Sequence, residues 1–335
     1  MLKILITGAT GFIGSHLLEY LVAKNLDIVC MVRKTSDTSL LNELGVEARI
    51  GDLADPSSLK SVPKNVDIVY HLAAYYTFLG KKNLYEKFNE KGTQYLLNSC
   101  ESAGVSRFIY CSSTEAIGAV PIANSNNKDD YAKEDAPYTP QFEYGKSKMR
   151  TEKHVMEHKG ELEWTILRPS GVYGPRCLDD ISYWWVDSIA KHKLSMWFRI
   201  RNSGTVHFTH VSDIVQGFDL AMSEKAKNEI FFISSDECQH VDTAIEEISK
   251  ILNKKQPRFA VPKILAKGAI APIQLLNWIR GKPNFFLQLA AVDSITQGRN
   301  YSNQKAKDIL GYKPKFDIRT GMEDTIQWYK DNGFL

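Results

Sequence analysis

Along the first half of the chain, two rhythms of apolar and polar positions alternate. Short apolar runs read as strands: KILIT (3–7), DIVCMV (27–32), EARIGDL (47–53), VDIVYHLA (66–73), RFIYCSS (107–113) and WTILRPS (164–170). Between them GSHLLEYLVAK (14–24) and residues 84–103 and 144–158 repeat their apolar positions at helical spacing. Strands alternating with helices predict βαβ units and a parallel, doubly wound α/β sheet. From about residue 175 the rhythm loosens, and aromatics crowd into YWWVDS (183–188) and MWFRI (196–200). EIFFIS (229–234) is one further strand pattern able to rejoin the sheet. Residues 238–335 are helix-rich, with prolines at 257, 262, 272, 283 and 314, and NSNNKDD (124–130) reads as an exposed loop.

The first strand runs into TGATGFIGSHL (7–17), which opens the first helix. Gly8, Gly11 and Gly14 let the backbone turn tightly and let a pyrophosphate approach the amides at the helix N-terminus. The strand–turn–helix setting is the context such a loop requires. A dinucleotide is therefore the expected ligand, with Thr10, Phe12 and Ile13 among its contacts. A NAD site usually places an acid about 20 residues further on, at the end of the second strand, for the ribose 2′-hydroxyl. That strand ends CMVRKTSD, so Arg33 and Lys34 stand in the acid's place. Two cations suit a 2′-phosphate, which makes NADP the preferred cofactor; Asp37, a few residues later, keeps NAD open.

EYGKSK (143–148) carries two competing patterns. Gly145-Lys146-Ser147 matches the end of a phosphate-binding P-loop, but the glycine needed five residues earlier is Pro140. Tyr144 and Lys148 lie one helical turn apart and share a face. A phenol ionises at about pH 10, and a nearby ammonium favours the phenolate. Such a phenol can exchange a proton with a substrate hydroxyl or carbonyl while a nicotinamide exchanges the hydride. The same spacing also arises by accident, as a surface tyrosine resting on a lysine stem. The strand ending at Ser112, Ser113 and Thr114 adds hydroxyls able to hold the reacting oxygen.

TGATGFIG, GDLADP (51–56), HLAA (71–74), NEKGTQYLL (89–97), YCSSTEAIG (110–118), YGKSK (144–148), LRPSGVYGP (167–175) and HFTHVSDIVQG (207–217) together resemble the extended short-chain dehydrogenase/reductase superfamily. SNQKAKDILGYKPKFDIRTGMEDTIQWY (302–329) resembles its closing segment, so the likeness spans nearly the whole chain. The resemblance implies a Rossmann dinucleotide-binding domain at 1–170, rejoined by 205–235. It implies a smaller, discontinuous substrate-binding domain from 171–204 and 236–335. Tyr144 is implied as acid/base, and Lys148 as the residue that holds the nicotinamide ribose and lowers the tyrosine pKa. Ser113 is implied as the active-site serine, with Thr114 its neighbour if the alignment slips by one, and Asn89 as support for a proton relay near the lysine. Asp52 and Leu53 are implied as adenine contacts, Leu72, Ala73 and Ala74 as the wall beside the cofactor ribose, and Pro169 and Val172 as contacts at the carboxamide. A homodimer through the Tyr144 helix is implied too.

Two branches of the superfamily compete. VRKTSD resembles the dihydroflavonol-reductase-like group and some bacterial sugar-epimerase-like proteins, whereas the FIYCSSTEAIG and YGKSK blocks resemble 3β-hydroxysteroid dehydrogenases. The family's usual VYG is AIG at 116–118, a departure expected to let a bulkier, more apolar substrate approach.

Composition and charge trim the alternatives. At 335 residues the chain exceeds what one core usually serves, in keeping with a second domain. A net charge of +3 with no long basic block gives nucleic acid no electrostatic support. Cys30, Cys100, Cys111, Cys177 and Cys238 are scattered, which speaks against structural zinc or a disulfide framework. With no signal-peptide pattern at the N-terminus, a cytoplasmic setting and no metal are expected. ILAKGAIAPIQLLNWI (264–279) falls short of the roughly 18 apolar residues of a membrane span. It reads as a buried or interfacial helix, which leaves membrane-surface contact open.

The substrate is a small molecule whose class stays divided. Tyr75, Tyr76, Phe78, Tyr183, Trp184, Trp185, Trp197 and Phe198 favour an apolar alcohol or ketone if they line the cleft, and core packing is the competing reading. Arg176, Lys191, Lys193, Arg199 and Arg201 would suit a nucleotide-sugar diphosphate, unless they form a solvated face. The first function is hydride transfer between the nicotinamide and a hydroxyl or carbonyl of a hydrophobic molecule. The second is a nucleotide-sugar epimerase or dehydratase with retained NAD. A non-catalytic dinucleotide sensor sits poorly with the intact Ser–Tyr–Lys set.

Overall fold

A computed structural model describes residues 2–77, 79–122, 128–193, 198–256, 259–282 and 284–335. In chain order its strands are β1 Lys3–Thr7, β2 Asp27–Val32, β3 Glu47–Ile50, β4 Ile68–His71, β5 Arg107–Cys111, β6 Glu163–Pro169, β7 Gly171–Tyr173, β8 Phe198–Ile200, β9 Thr205–Val206, β10 Phe208–His210, β11 Glu229–Ile233, β12 Gln239–His240 and β13 Phe259–Val261. Its α-helices are α1 Phe12–Ala23, α2 Ser39–Glu43, α3 Pro56–Leu59, α4 Lys82–Tyr85, α5 Gly92–Ala103, α6 Glu143–Met156, α7 Ile181–Ala190, α8 Val211–Leu220, α9 Val241–Ile251, α10 Lys263–Ile279, α11 Leu289–Ser294 and α12 Ile318–Asp331.

Seven strands form one parallel sheet in the order β11-β6-β5-β4-β1-β2-β3. Every apolar run named in the sequence supplies one, and EIFFIS returns as β11 beside β6. Five strands stop short of the predicted ends, at Ile50, His71, Cys111, Pro169 and Ile233. The remaining residues turn out of the sheet into loops at its C-terminal edge, where ligands of such folds bind.

Successive residues of a strand face opposite sides, so a sheet covered on both faces needs apolar residues at every position. Ile4, Ile6, Cys30, Tyr70 and Ile109 join one core, packed with Leu17, Leu18 and Leu21 of α1 and Ile214 and Phe218 of α8. Leu5, Val29, Val69, Phe108, Tyr110 and Ile166 join the other, with Leu96, Leu97 and Cys100 of α5 and Val155 of α6. A third core gathers Trp185 and Ile189 of α7, Ile245 and Ile248 of α9 and Met322, Ile326 and Tyr329 of α12. The fold is thus Rossmann-type α/β, with a further helical layer at the end that carries the closing segment.

The periodic stretch 84–103 is not one helix. A π-helical turn, Glu86–Lys91, separates α4 from α5. The wider turn puts Asn89 inside: its side chain accepts from Tyr75 N–H at 2.7 Å and donates to Tyr75 C=O at 3.1 Å and to Ser147 Oγ at 3.0 Å. Hydrophobic spacing alone does not separate a single π turn from α-helix.

An ion pair between Arg168 of β6 and Glu152 of α6 lies fully inside the protein, at 1% and 0% exposure. The guanidinium makes two bonds to the carboxylate, 2.8 and 3.0 Å, and donates to Tyr138 Oη and to Glu134 C=O. Glu152 also accepts from the Ser112 and Tyr138 hydroxyls. Removing one partner strands a buried charge. Arg168→Met is therefore expected to lower unfolding free energy in urea by about 3–5 kcal/mol. Adding Glu152→Gln should restore part of that loss. A cost below about 1 kcal/mol for the single change would show that the pair does not hold α6.

Candidate active site

The loop after β1 has a shape only glycine allows. Gly8 has φ +76°, and a Cβ there would lie 2.7 Å from Ala73 N. A Cβ at Gly14 would lie 2.0 Å from Gly8 O. Gly11 ends the turn with its N–H on Gly8 O at 3.0 Å and begins α1 without a side-chain cap. The first-turn amides of α1 thus open onto a cradle of the width a pyrophosphate needs, at the positive end of the helix dipole. The residues present fit a dinucleotide.

From this cradle runs one continuous cavity of about 1170 Å³. Thr10, Phe12 and Ile13 line it near the loop, with Leu72 and Ala74 after β4 and Pro169 and Val172 after β6. Ala73 turns the other way: its N–H meets Thr7 Oγ1 at 3.2 Å, and it packs with the core of Leu5 and Val29. Leu53 is buried against Gly92, and Asp52 accepts the Ala54 N–H, so both act first as loop braces. Arg33 and Lys34 are exposed at the end of β2, where the sequence put them. The neighbouring Asp37 is engaged: its carboxylate accepts from Ser39 N–H at 2.9 Å and Ser39 Oγ at 2.6 Å.

At the middle of the cavity, β5 and α6 bring Ser113, Tyr144 and Lys148 together. The Ser113 hydroxyl lies near enough to the Tyr144 phenol to lower its pKa, and it caps a short helical turn by accepting from Glu115 N–H at 3.1 Å. Thr114 is buried. Lys148 is 2% exposed; its ammonium donates to Cys111 C=O at 2.6 Å and stands 5.8 Å from the Tyr144 ring centre. Asn89 reaches Ser147, whose hydroxyl in turn donates to Tyr144 C=O at 2.7 Å. It therefore clamps the helix beside Lys148 and does not itself bond the ammonium.

Burial pushes the Tyr144 phenol well above 10, with Cys111, Glu115 and Asp180 raising it further and the Ser113 hydroxyl lowering it. Lys148 loses basicity through burial, and its N–H points at Cys111. Burial and the Lys148 charge hold His71 down to about 3, so its ring is neutral, gripped by the Thr7 and Thr93 hydroxyls at 2.8 Å each.

The letters of the rejected P-loop each have another task. Gly145 is needed because a Cβ would meet Glu115 O at 2.2 Å. Lys146 pairs outward with Glu143 at 2.9 Å, and Ser147 joins Asn89. The AIG departure also works differently from expectation. Ile117 is fully buried with Phe232 and Tyr301, away from the cleft, and Tyr301 Oη donates to Gly118 C=O at 2.7 Å.

The aromatic set divides. Tyr76, Trp184 and Trp185 line the cavity; Tyr76 meets the Tyr144 ring edge-on at 4.9 Å, and Trp184 stacks on Phe286 at 4.8 Å. Tyr75 packs on Tyr85 and Phe88, and Tyr183 packs on Tyr329. Phe78 and Trp197 lie outside the described residues, and of Phe198 only the backbone is described. The basic set is largely neutralised: Arg176 pairs with Glu19, Lys191 and Lys193 with Asp187, and Arg199 with Asp242; Arg201 is exposed.

Sequence reading missed the acids of the cavity. Glu115 is held by Arg299, 184 residues away, a contact only the fold creates. Asp180 caps α7 through Ile181 N–H, and burial raises its carboxyl from 3.8 to about 6.

The sequence pattern of the NAD dependent epimerase/dehydratase family matches residues 4–234. The chain belongs to that family, the extended type of short-chain dehydrogenase/reductase, and binds NAD(P). Sterol demethylase protein B of Methylococcus capsulatus is 26% identical over 99% of both chains. The sterol-4-alpha-carboxylate 3-dehydrogenase, decarboxylating, of Bos taurus is 28% identical over 96% of this chain and 91% of that one. The dTDP-glucose 4,6-dehydratase of Streptomyces venezuelae, solved with NAD, has a TM-score of 0.78 at 20% identity, covering 99% of this chain and 98% of that one. At that identity the likeness is one of fold.

Because the native Asp180 binds its proton more tightly than the unfolded chain does, its ionisation lowers stability as pH rises from 3.8 to about 6. Asp180→Asn keeps an N-cap but removes the charge. The variant's stability relative to the parent should therefore rise through that window and level off above it. A difference that stays constant with pH, measured by chemical unfolding, would mean Asp180 is not perturbed.

Proposed function

We propose that the protein is an NADP-preferring dehydrogenase or reductase acting on a hydroxyl or carbonyl of a large, hydrophobic, sterol-like molecule. The observation that carries this is the meeting of Ser113 and Tyr144 in one cavity that Trp184, Ile270, Ile273 and Phe286 also line, the Ser113 hydroxyl lying near enough to the phenol to lower its pKa. Both sequence relatives are named for work on sterols. Arg176, Lys193 and Arg199 line the cavity but are each paired with a carboxylate, which weakens the case for a diphosphate substrate.

When bound, the nicotinamide supplies or accepts the hydride. Tyr144 handles the proton and Ser113 bonds the reacting oxygen. Lys148, fixed by Cys111 C=O, steadies the cofactor ribose and favours the phenolate as charge develops. Asn89 is a positioning residue that keeps Tyr144 at its height on α6. With its pKa raised, the Tyr144 phenol is protonated at neutral pH and suited to donate to a carbonyl oxygen. Alcohol oxidation, which needs the phenolate, should therefore gain with rising alkaline pH, while carbonyl reduction does not. Residues 1–170 with 205–235 hold the cofactor in this reading, and 171–204 with 236–335 hold the substrate. The family resemblance adds a homodimer through α6 and a cytoplasmic setting.

Tyr144→Phe is expected to cut turnover by roughly a hundredfold to ten-thousandfold while cofactor affinity, read by fluorescence titration, is unchanged. Retained turnover would remove Tyr144 from the chemistry. Arg33→Ala should weaken NADPH binding by about tenfold or more and leave NADH nearly unchanged. Equal losses for the two would sink the 2′-phosphate role. The epimerase-like dehydratase of S. venezuelae keeps a second reading in view. NAD released stoichiometrically on denaturing the purified protein would favour it.

A further inference from the structure

Helix α10 is apolar on the side away from the protein. Ile264, Leu265, Leu275, Leu276, Trp278 and Ile279 are exposed, Ile264 by 81% and Trp278 by 74%, and Ala266 is its one buried residue. Its polar side chains anchor one flank. Lys263 and Lys267 both reach Asp293 of α11, at 2.8 and 2.7 Å, and Gln274 accepts Leu289 N–H at 2.9 Å. On the 100° steps of an α-helix the exposed apolar residues fall on one arc, free of charge until Arg280. A helix bathed in water has the opposite arrangement.

Charge identifies what covers this face. Between Glu247 and Asp293 the chain has no Asp or Glu and eight Lys and Arg residues. The rest carries 34 basic against 39 acidic residues, so the chain's net positive charge comes from the segment that contains α10. Lys255, Arg280 and Lys282 are exposed and, among the described residues, have no carboxylate partner. A second copy of the chain would bring two such positive rims together and be repelled. An anionic surface with an apolar interior answers both the rim and the face. On its inner side α10 contributes Ala266, Ile270 and Ile273 to the cavity, so one helix separates the cavity from the exposed face. Among the described residues no helix is long and apolar enough to cross a membrane, so α10 would lie along the surface.

We propose that α10 is a membrane-surface helix that docks this side of the cavity on an anionic phospholipid bilayer, its apolar arc among the acyl chains and its basic rim at the headgroups. The inference is independent of the reaction assigned to Tyr144.

Vesicle flotation tests it, with phosphatidylcholine alone and with roughly a third phosphatidylglycerol. The protein should float with the anionic vesicles, less with the neutral ones, and less again in about 0.5 M salt. The triple variant Leu275→Ser, Trp278→Ser, Ile279→Ser touches none of the cavity residues named above. It should bind at least about tenfold more weakly with unchanged thermal unfolding. Brominated lipid should quench fluorescence of the parent more than that of Trp278→Phe. Failure to float with anionic vesicles, or equal binding by the triple variant, overturns the proposal. Equal quenching of the parent and Trp278→Phe does the same. A dimer seen by light scattering that the triple variant dissociates, without vesicle binding, would assign the face to a second copy instead.

Discussion

The buried pair between Arg168 and Glu152 is the constraint on which the site's geometry rests. It ties β6 to α6, and through Ser112 it ties both to the end of β5. Ser112 is drawn into this network on one side of the strand. Extended backbone then turns Ser113 to the other side, toward the phenol. The placing of Ser113 beside Tyr144 is thus a consequence of an ion pair that touches neither. Asn89 completes the frame from the opposite flank, through Ser147 and the Tyr75 backbone. Tyr144 is held from behind, which leaves its hydroxyl toward the cavity.

A frame built of buried charges also sets the electrical character of the cavity. Lys148, Glu115 with Arg299, and Asp180 stand around one phenol. Burial pushes Tyr144 up first, Cys111 and the two carboxylates add to it, and His71 is kept neutral. Proton donation is the default of such an arrangement, and the opposite direction requires the phenolate to be favoured by something more than a lysine one turn away.

What the sequence disclosed follows from which interactions are local. The inner sheet strands were visible because a strand buried on both faces must be apolar throughout, whereas β3, exposed at the sheet edge, showed through its place in the alternation. The glycine loop was legible because Gly8 and Gly14 answer steric demands within a few residues of themselves. Tyr144 and Lys148 share a helical turn, so their juxtaposition was written in their spacing. The π turn at Glu86–Lys91 was hidden, since one extra residue in a turn leaves the apolar period almost untouched. Glu115 with Arg299, and Arg168 with Glu152, were hidden because tertiary contact alone brings them together. The rise of the tyrosine's pKa was hidden for a related reason: spacing reports proximity, whereas burial, its largest cause, depends on the whole fold.

The apolar stretch 264–279 shows the same limit from the other side. Its composition suggested a helix that is either buried or interfacial, and only the fold decides which. α10 turns Ala266, Ile270 and Ile273 to the cavity and is anchored along one flank by Lys263, Lys267 and Gln274, which Asp293 and the Leu289 amide receive. Those bonds fix the rotation of the helix about its axis. Once they are made, Ile264, Leu275 and Trp278 have no way to reach the interior. The exposed arc is therefore enforced by the polar contacts beneath it, and the helix that shields the cavity's apolar end is the same one that presents an apolar surface outward.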